Sequence, residues 1–216
     1  RLTSGPSLVY TIILLLLTTL STPALSEPHA HQGIAPKFVG KPDRTPLTEA
    51  DEATLLRGES VLKQVKFDGG GRGIAVLDIQ APQDRVWSVI TDYPNYPNRI
   101  EQMEEAEVYG RTADHIFVRF VLGAFLVEVE YYINHTYRPR EGYLTWELDY
   151  SRKSDLDDSV GYWLVYPTPG REGFTRVEYS CDLRLSGWVP GIIEDLLANQ
   201  GLTLSTNWVK RDAEGE

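Results

Sequence analysis

The 216-residue chain has one cysteine, one methionine and four histidines, few of the side chains that build disulfides and soft metal sites. Cys181 has no partner within the chain, so stability has to come from an ordinary apolar core, which a chain of this length can bury. In its strand-like stretch, FTRVEYSCDLRL, Cys181 reads as a small buried hydrophobe rather than a reactive thiol. His115 and His135 lie far apart, with no H-E-x-x-H and no paired cysteines. His29 and His31 stand as a lone H-x-H pair, and Pro28 removes an amide that a copper chelate at a freed amino terminus would use. No metal and no cofactor is therefore expected. Also missing are a G-x-S-x-G elbow, a G-K-[ST] and a G-x-G-x-x-G, which argues against serine hydrolysis and phosphate cradling. Basic residues are outnumbered, 21 Lys+Arg against 31 Asp+Glu, for a net charge of −10 with no dense basic run. Such a chain lacks the footprint for a phosphate backbone, so nucleic acid is not an expected partner, and anionic membrane surfaces are disfavoured.

At 42% hydrophobic and 24% charged, the composition is that of a folded globular domain. The first 26 residues differ from the rest. Leu8 to Leu20, LVYTIILLLLTTL, is an uncharged run of 13 residues, shorter than the ~20 that span a bilayer. Pro23 and Ala24-Leu25-Ser26 follow, with small residues where signal peptidase requires them, so 1–26 reads as a secretory signal peptide. An uncleaved anchor is the competing reading. Export would place the protein in a periplasm, a thylakoid lumen or an extracellular space.

Residues 27–50 contain four prolines and no sustained periodicity, and read as an extended linker or tail. One domain is expected over 51–210, with 211–216 as a short tail. SVLKQVKF and IAVLDIQ form a strand pair, joined by the glycine-rich DGGGRG of 68–73. APQDRVWSVI then carries Pro82 and Asp84 at a helix start and an apolar stripe of Val86, Trp87, Val89 and Ile90. Tyr93-Pro94-Asn95-Tyr96-Pro97 ends that helix in a proline-stiffened loop that presents two aromatic rings as a lid.

Six strand candidates follow without an intervening helix, the mark of an antiparallel meander. In the third, Val127, Val129, Tyr131 and Ile133 take the covered face and Glu128, Glu130, Tyr132 and Asn134 the wet one. Ile116, Val118, Phe120 and Leu122 join the covered face, as do Leu144, Trp146, Leu148 and Tyr150. The final stretch, 186–210, has Ser186 as a cap and Ile193, Leu196, Leu197, Leu204 and Trp208 at helical spacing. Gln200, Gly201 and Thr203 interrupt its stripe, which marks either a bend or polar groups facing a cavity.

IQAPQDRVWSVITDYPNYP resembles the opening of the polyketide cyclase/dehydrase and coenzyme Q-binding family, and GYWLVYPTPGREGFTRVEYSCDL is similar to a strand pair of the same START-like (SRPBCC) superfamily. The resemblance covers about 55–210. It implies an α+β helix-grip fold, a curved antiparallel sheet wrapped around a long C-terminal helix. Between sheet and helix it implies an apolar cavity for a lipid, quinone, polyketide or pigment.

The leading expectation is an exported, non-catalytic protein that binds or transfers a hydrophobic small molecule. Tyr93, Tyr96, Phe120, Tyr131, Trp146, Tyr150 and Gln200 are its candidate ligand contacts. Transient contact with a membrane is compatible with such a ligand, and no protein partner is identified. A cyclase/dehydrase-type enzyme is the second reading. Tyr131 and His135 are its only acid–base candidates, and His135 reads first as a solvated residue at a strand end. The third is an assembly or chaperone module using the acidic surface of Glu101, Glu104, Glu105 and Glu107, although acidic runs are usually solvated surface.

Overall fold

The computed structural model describes residues 27–67, 70–124, 127–185 and 201–215. The order of elements is helix α1 (Glu49–Leu56), strands β1 (Val61–Phe67) and β2 (Gly70–Ile79), helix α2 (Gln83–Ile90) and a 3-10 segment, Tyr93–Asn98. Strands β3 (Met103–Arg111), β4 (His115–Ala124), β5 (Val127–Arg138), β6 (Tyr143–Leu148), β7 (Asp158–Pro167) and β8 (Thr175–Arg184) follow, then helix α3 (Gly201–Glu214). The strands form one antiparallel sheet in the order β1-β2-β8-β7-β6-β5-β4-β3. This is the helix-grip arrangement: a meander closed by pairing its last strand to the first hairpin.

Alternation within each strand separates two faces. On the inner face Ile116, Val118, Phe120, Ile133, Leu144, Leu148 and Val177 pack against Val86, Trp87 and Ile90 of α2 and Trp208 and Val209 of α3. Pro82 precedes the first turn of α2 with extended backbone, and the apolar stripe of that helix is buried as its spacing requires. Gly142, at φ +79°, turns the chain into β6 where a Cβ would meet the Val165 carbonyl.

Several boundaries differ from those read in the sequence. The glycines at 70, 71 and 73 belong to β2 and pair with β8 instead of forming the expected turn, and residues 68 and 69 lie outside the described residues. Helix α3 continues to Glu214, so four of the six residues assigned to a C-terminal tail are helical. Residues 1–26 and 186–200, on which the expected signal peptide and the expected start of the terminal helix fall, lie outside the described residues.

Residues 27–47 are extended, as their prolines suggest, but they are attached to the domain. They cross the outer face of the sheet, where Phe38 meets Tyr162 edge-on at 4.9 Å and Arg44 lies 3.9 Å from the ring of Tyr166. Two carboxylates from the sheet hold the crossing. Asp158 accepts the Ala35 N–H at 2.8 Å, and Glu178 accepts the Thr45 N–H at 2.8 Å. The crossing covers a second cluster, Tyr143, Tyr162, Leu164 and Tyr166. Helix α1, which the sequence reading did not contain, follows at once. It is fixed by a capping box in which Thr48 and Asp51 exchange hydrogen bonds, and it buries Leu55 against Val61 and Val76.

Candidate functional site

Five of the six aromatic residues singled out in the sequence converge on the inner face. The 3-10 segment after α2 turns both tyrosines inward, because Pro94 and Pro97 restrict the backbone and the Tyr96 hydroxyl donates to the Ile90 carbonyl at 2.6 Å. Tyr93 is 2% exposed and Tyr96 7%, so this segment forms a wall of the core. Ring centroids run from Tyr96 to Trp208 at 4.9 Å, from Tyr93 to Tyr96 at 5.2 Å and from Phe120 to Tyr131 at 5.3 Å. Arg99 closes the wall from outside, pairing with Asp92 at 2.8 Å and with Asp212 of α3 at 2.6 Å.

His135 sits in the middle of this group rather than in solvent. It is 6% exposed, and its ring lies 5.1 Å from Tyr93, 6.3 Å from Phe120 and 6.4 Å from Trp146. Strand β5 continues to Arg138 and the 3-10 segment covers it, which is why a residue that looks terminal in sequence is enclosed. Its Nδ1 is 3.1 Å from the Ile116 carbonyl. A carbonyl only accepts, so Nδ1 carries the proton and Nε2 keeps its lone pair. Burial disfavours the imidazolium and lowers the pKa from 6.5 to about 3, against a smaller opposing effect of the Ile116 bond.

Trp146 lies over the backbone of Gly161, where a Cβ would collide with the indole, and donates its N–H to Ser159 Oγ at 3.2 Å. Tyr131 is partly buried against the core, and burial raises the pKa of its hydroxyl well above the ordinary tyrosine value. Burial likewise pushes the Cys181 thiol up to about 11, so it is protonated at neutral pH and unreactive. The indole N–H groups of Trp87 and Trp208, both in this core, are buried with no acceptor among the described residues. A polar atom supplied by a bound molecule would satisfy such donors.

Tyr150 is partly buried against the same core, but its ring meets that of His29 rather than those of the inner face. Strand β6 ends at Leu148, and the Tyr150 hydroxyl donates to Asp158 at 2.9 Å, beside His29 of the N-terminal segment. Gln200 lies outside the described residues. Several aromatics of this core were not among the sequence candidates, including Trp87, Trp163, Trp208 and Tyr179. Trp208 reads as part of a helical stripe, and Tyr179, stacked 5.5 Å from Trp146, shares the parity of Val177 and Cys181 in β8. That parity was the available signal.

Elsewhere, a surface pocket of about 210 Å³ is lined by Glu27, Glu130, Tyr132, Arg152, Lys153 and Asp155. Its charged rim does not suit an apolar guest. The acidic residues of β3 are exposed, and Glu105 is paired with Arg119. Among the described residues no group of three or more His, Cys, Asp or Glu side chains is placed to hold a metal ion, and no helix is long and apolar enough to cross a membrane.

A search by sequence against curated proteins finds no match. The family model described as polyketide cyclase/dehydrase and lipid transport matches residues 79–203. Among solved structures, an aromatase/cyclase from a Streptomyces species superimposes with a TM-score of 0.56 at 15% identity, covering 71% of this chain and 94% of its own. A STAR-related lipid transfer protein from Xanthomonas axonopodis gives a TM-score of 0.56 at 13% identity, with 71% and 93% covered. A START superfamily protein from Mycobacterium smegmatis gives 0.52 at 16% identity, with 72% and 97% covered. These likenesses establish the fold.

Proposed function

We propose, from the premise that this chain belongs to the polyketide cyclase/dehydrase and lipid transport family, that it binds or transfers a hydrophobic small molecule held against the inner face of its sheet. The observation that carries this reading is the enclosed aromatic group of Tyr93, Tyr96, Phe120, His135 and Trp146, in the same core as the Trp87 and Trp208 indole N–H groups, which have no acceptor among the described residues. Flat apolar walls with a few orienting polar groups are what a small-molecule site requires. A STAR-related lipid transfer protein and an aromatase/cyclase share the fold, which supports a hydrophobic guest.

The N-terminal run LVYTIILLLLTTL supports export, and carriage across an aqueous compartment gives such a protein its purpose. Exposed apolar surface costs a ligand about 25 cal/mol per Å² in water. A cyclase/dehydrase-type reaction is the second reading, favoured by one observation: His135 is held neutral with a free lone pair beside Tyr93.

Equilibrium dialysis against a panel of quinones, fatty acids and naphthols tests the binding reading. At least one should be retained at one per chain, and Tyr131→Ala should weaken retention without unfolding the domain. Chemical change of the retained molecule would select the enzymatic reading. No retention by any of the panel would contradict both.

A further inference from the structure

The binding reading leaves open what kind of hydrophobic molecule is chosen, and His135 bears on that. In an interior otherwise walled by apolar surface, its ring is fixed on one side by the Ile116 carbonyl and enclosed by Tyr93, Phe120 and Trp146. Nδ1 is occupied as a donor, so Nε2 is left as an acceptor, and no described residue donates to it. The imidazole stays neutral because burial disfavours its charged form. A ligand that covers this acceptor without donating to it takes away any water there and leaves it unpaired, whereas one that supplies an O–H keeps it paired. A ligand carrying only a carbonyl or an ether oxygen presents a second acceptor and gains nothing there.

We propose that His135 selects, among hydrophobic ligands, those bearing a hydroxyl group, by accepting its hydrogen bond at Nε2. The surrounding rings favour a planar carrier of that hydroxyl, so the fitting class is an apolar phenol. This rests on the binding reading above. No proton is transferred and no bond is broken. The group acts as a specificity-determining contact.

Two probes of nearly equal shape separate the possibilities: 2-naphthol, which donates, and 2-methoxynaphthalene, which keeps the oxygen but cannot donate. The full chain should bind 2-naphthol at least tenfold more tightly, a difference of about 1.4 kcal/mol. His135→Phe keeps an aromatic ring and removes the acceptor, and should bring the two affinities together by weakening 2-naphthol alone. As a readout independent of any variant, the Nε2 nitrogen resonance of His135 in the unmodified chain should move with 2-naphthol and stay in place with 2-methoxynaphthalene. Equal binding of both probes, a preference that survives in His135→Phe, or an unmoved Nε2 resonance under bound 2-naphthol would overturn the selection. Binding of neither probe, nor of any molecule in the quinone, fatty acid and naphthol panel, would overturn the binding reading itself.

Discussion

Arg176 of β8 and Asp78 of β2 stand directly opposite each other in the sheet and form an ion pair enclosed on its outer face, Nε to Oδ1 at 2.7 Å. Their side chains are 4% and 1% exposed. The guanidinium also makes a bidentate contact with Glu52 of α1, at 2.7 and 2.8 Å, so one arginine ties the first helix to the junction of hairpin and meander.

Removing that arginine leaves a buried carboxylate with too few donors. Arg176→Met should lower the unfolding free energy by about 3–5 kcal/mol in urea titrations. Glu52, whose side chain is 45% exposed, works in a more solvated setting. Glu52→Gln should cost less than about 1 kcal/mol.

The N-terminal crossing is held by two buried carboxylates of the sheet. Asp158 is fully buried and accepts from Ala35, Tyr150 and Ser159, while Glu178, also fully buried, accepts from Thr45 and Tyr166. Deleting residues 27–47 from a chain that begins at Glu27 removes one donor from each carboxylate and uncovers Tyr162 and Tyr166. At about 1–3 kcal/mol for each hydrogen bond lost from a buried carboxylate, the shortened domain should lose several kcal/mol and aggregate on heating. Unchanged thermal unfolding would show the crossing to be dispensable.

These features mark the limits of what the chain discloses as a string of letters. The strands from β3 to β8 were legible because Val127, Val129, Tyr131 and Ile133 alternate with polar residues and Gly, Pro and Asp punctuate the turns. Helix α1 was not, since EADEATLL has no apolar stripe and buries Leu55 alone; its only mark was the spacing of Thr48 and Asp51. The crossing was invisible because Ala35 and Thr45 find their acceptors more than 120 residues away. Within the candidate site, parity brought out Phe120, Tyr131 and Trp146. The enclosure of His135 depends on a segment some forty residues earlier folding back over β5.

The depressed pKa of His135 makes a further prediction. In the unfolded chain the imidazole titrates near 6.5, whereas in the folded protein it does so at about 3. Between those values the unfolded state binds the extra proton, so the contribution is fully present above pH 6.5 and is lost progressively as pH falls toward 3. The slope reaches at most about 1.4 kcal/mol per pH unit. His135→Phe should flatten that part of the stability profile, measured by urea titration from pH 4 to 8 in steps. An unaltered slope would place the acid sensitivity elsewhere.

Gly161 supports Trp146 by having no side chain. Gly161→Ala places a Cβ against the indole and the Ser180 carbonyl, neither of which has room to withdraw within the paired strands. It should cost about 1–3 kcal/mol or more, alter the near-ultraviolet circular dichroism of the tryptophans and reduce ligand retention. Normal spectra and stability would mean that the ring moves aside freely.

The most direct test of the central claim is native mass spectrometry, with organic extraction, of the chain from Glu27 to Glu216 produced in its own host. The expected result is a stoichiometric adduct that extracts as an apolar molecule bearing a hydroxyl. A clean unliganded mass, with no uptake when quinones, fatty acids and naphthols are added back, would contradict the claim that the aromatic interior exists to hold a guest.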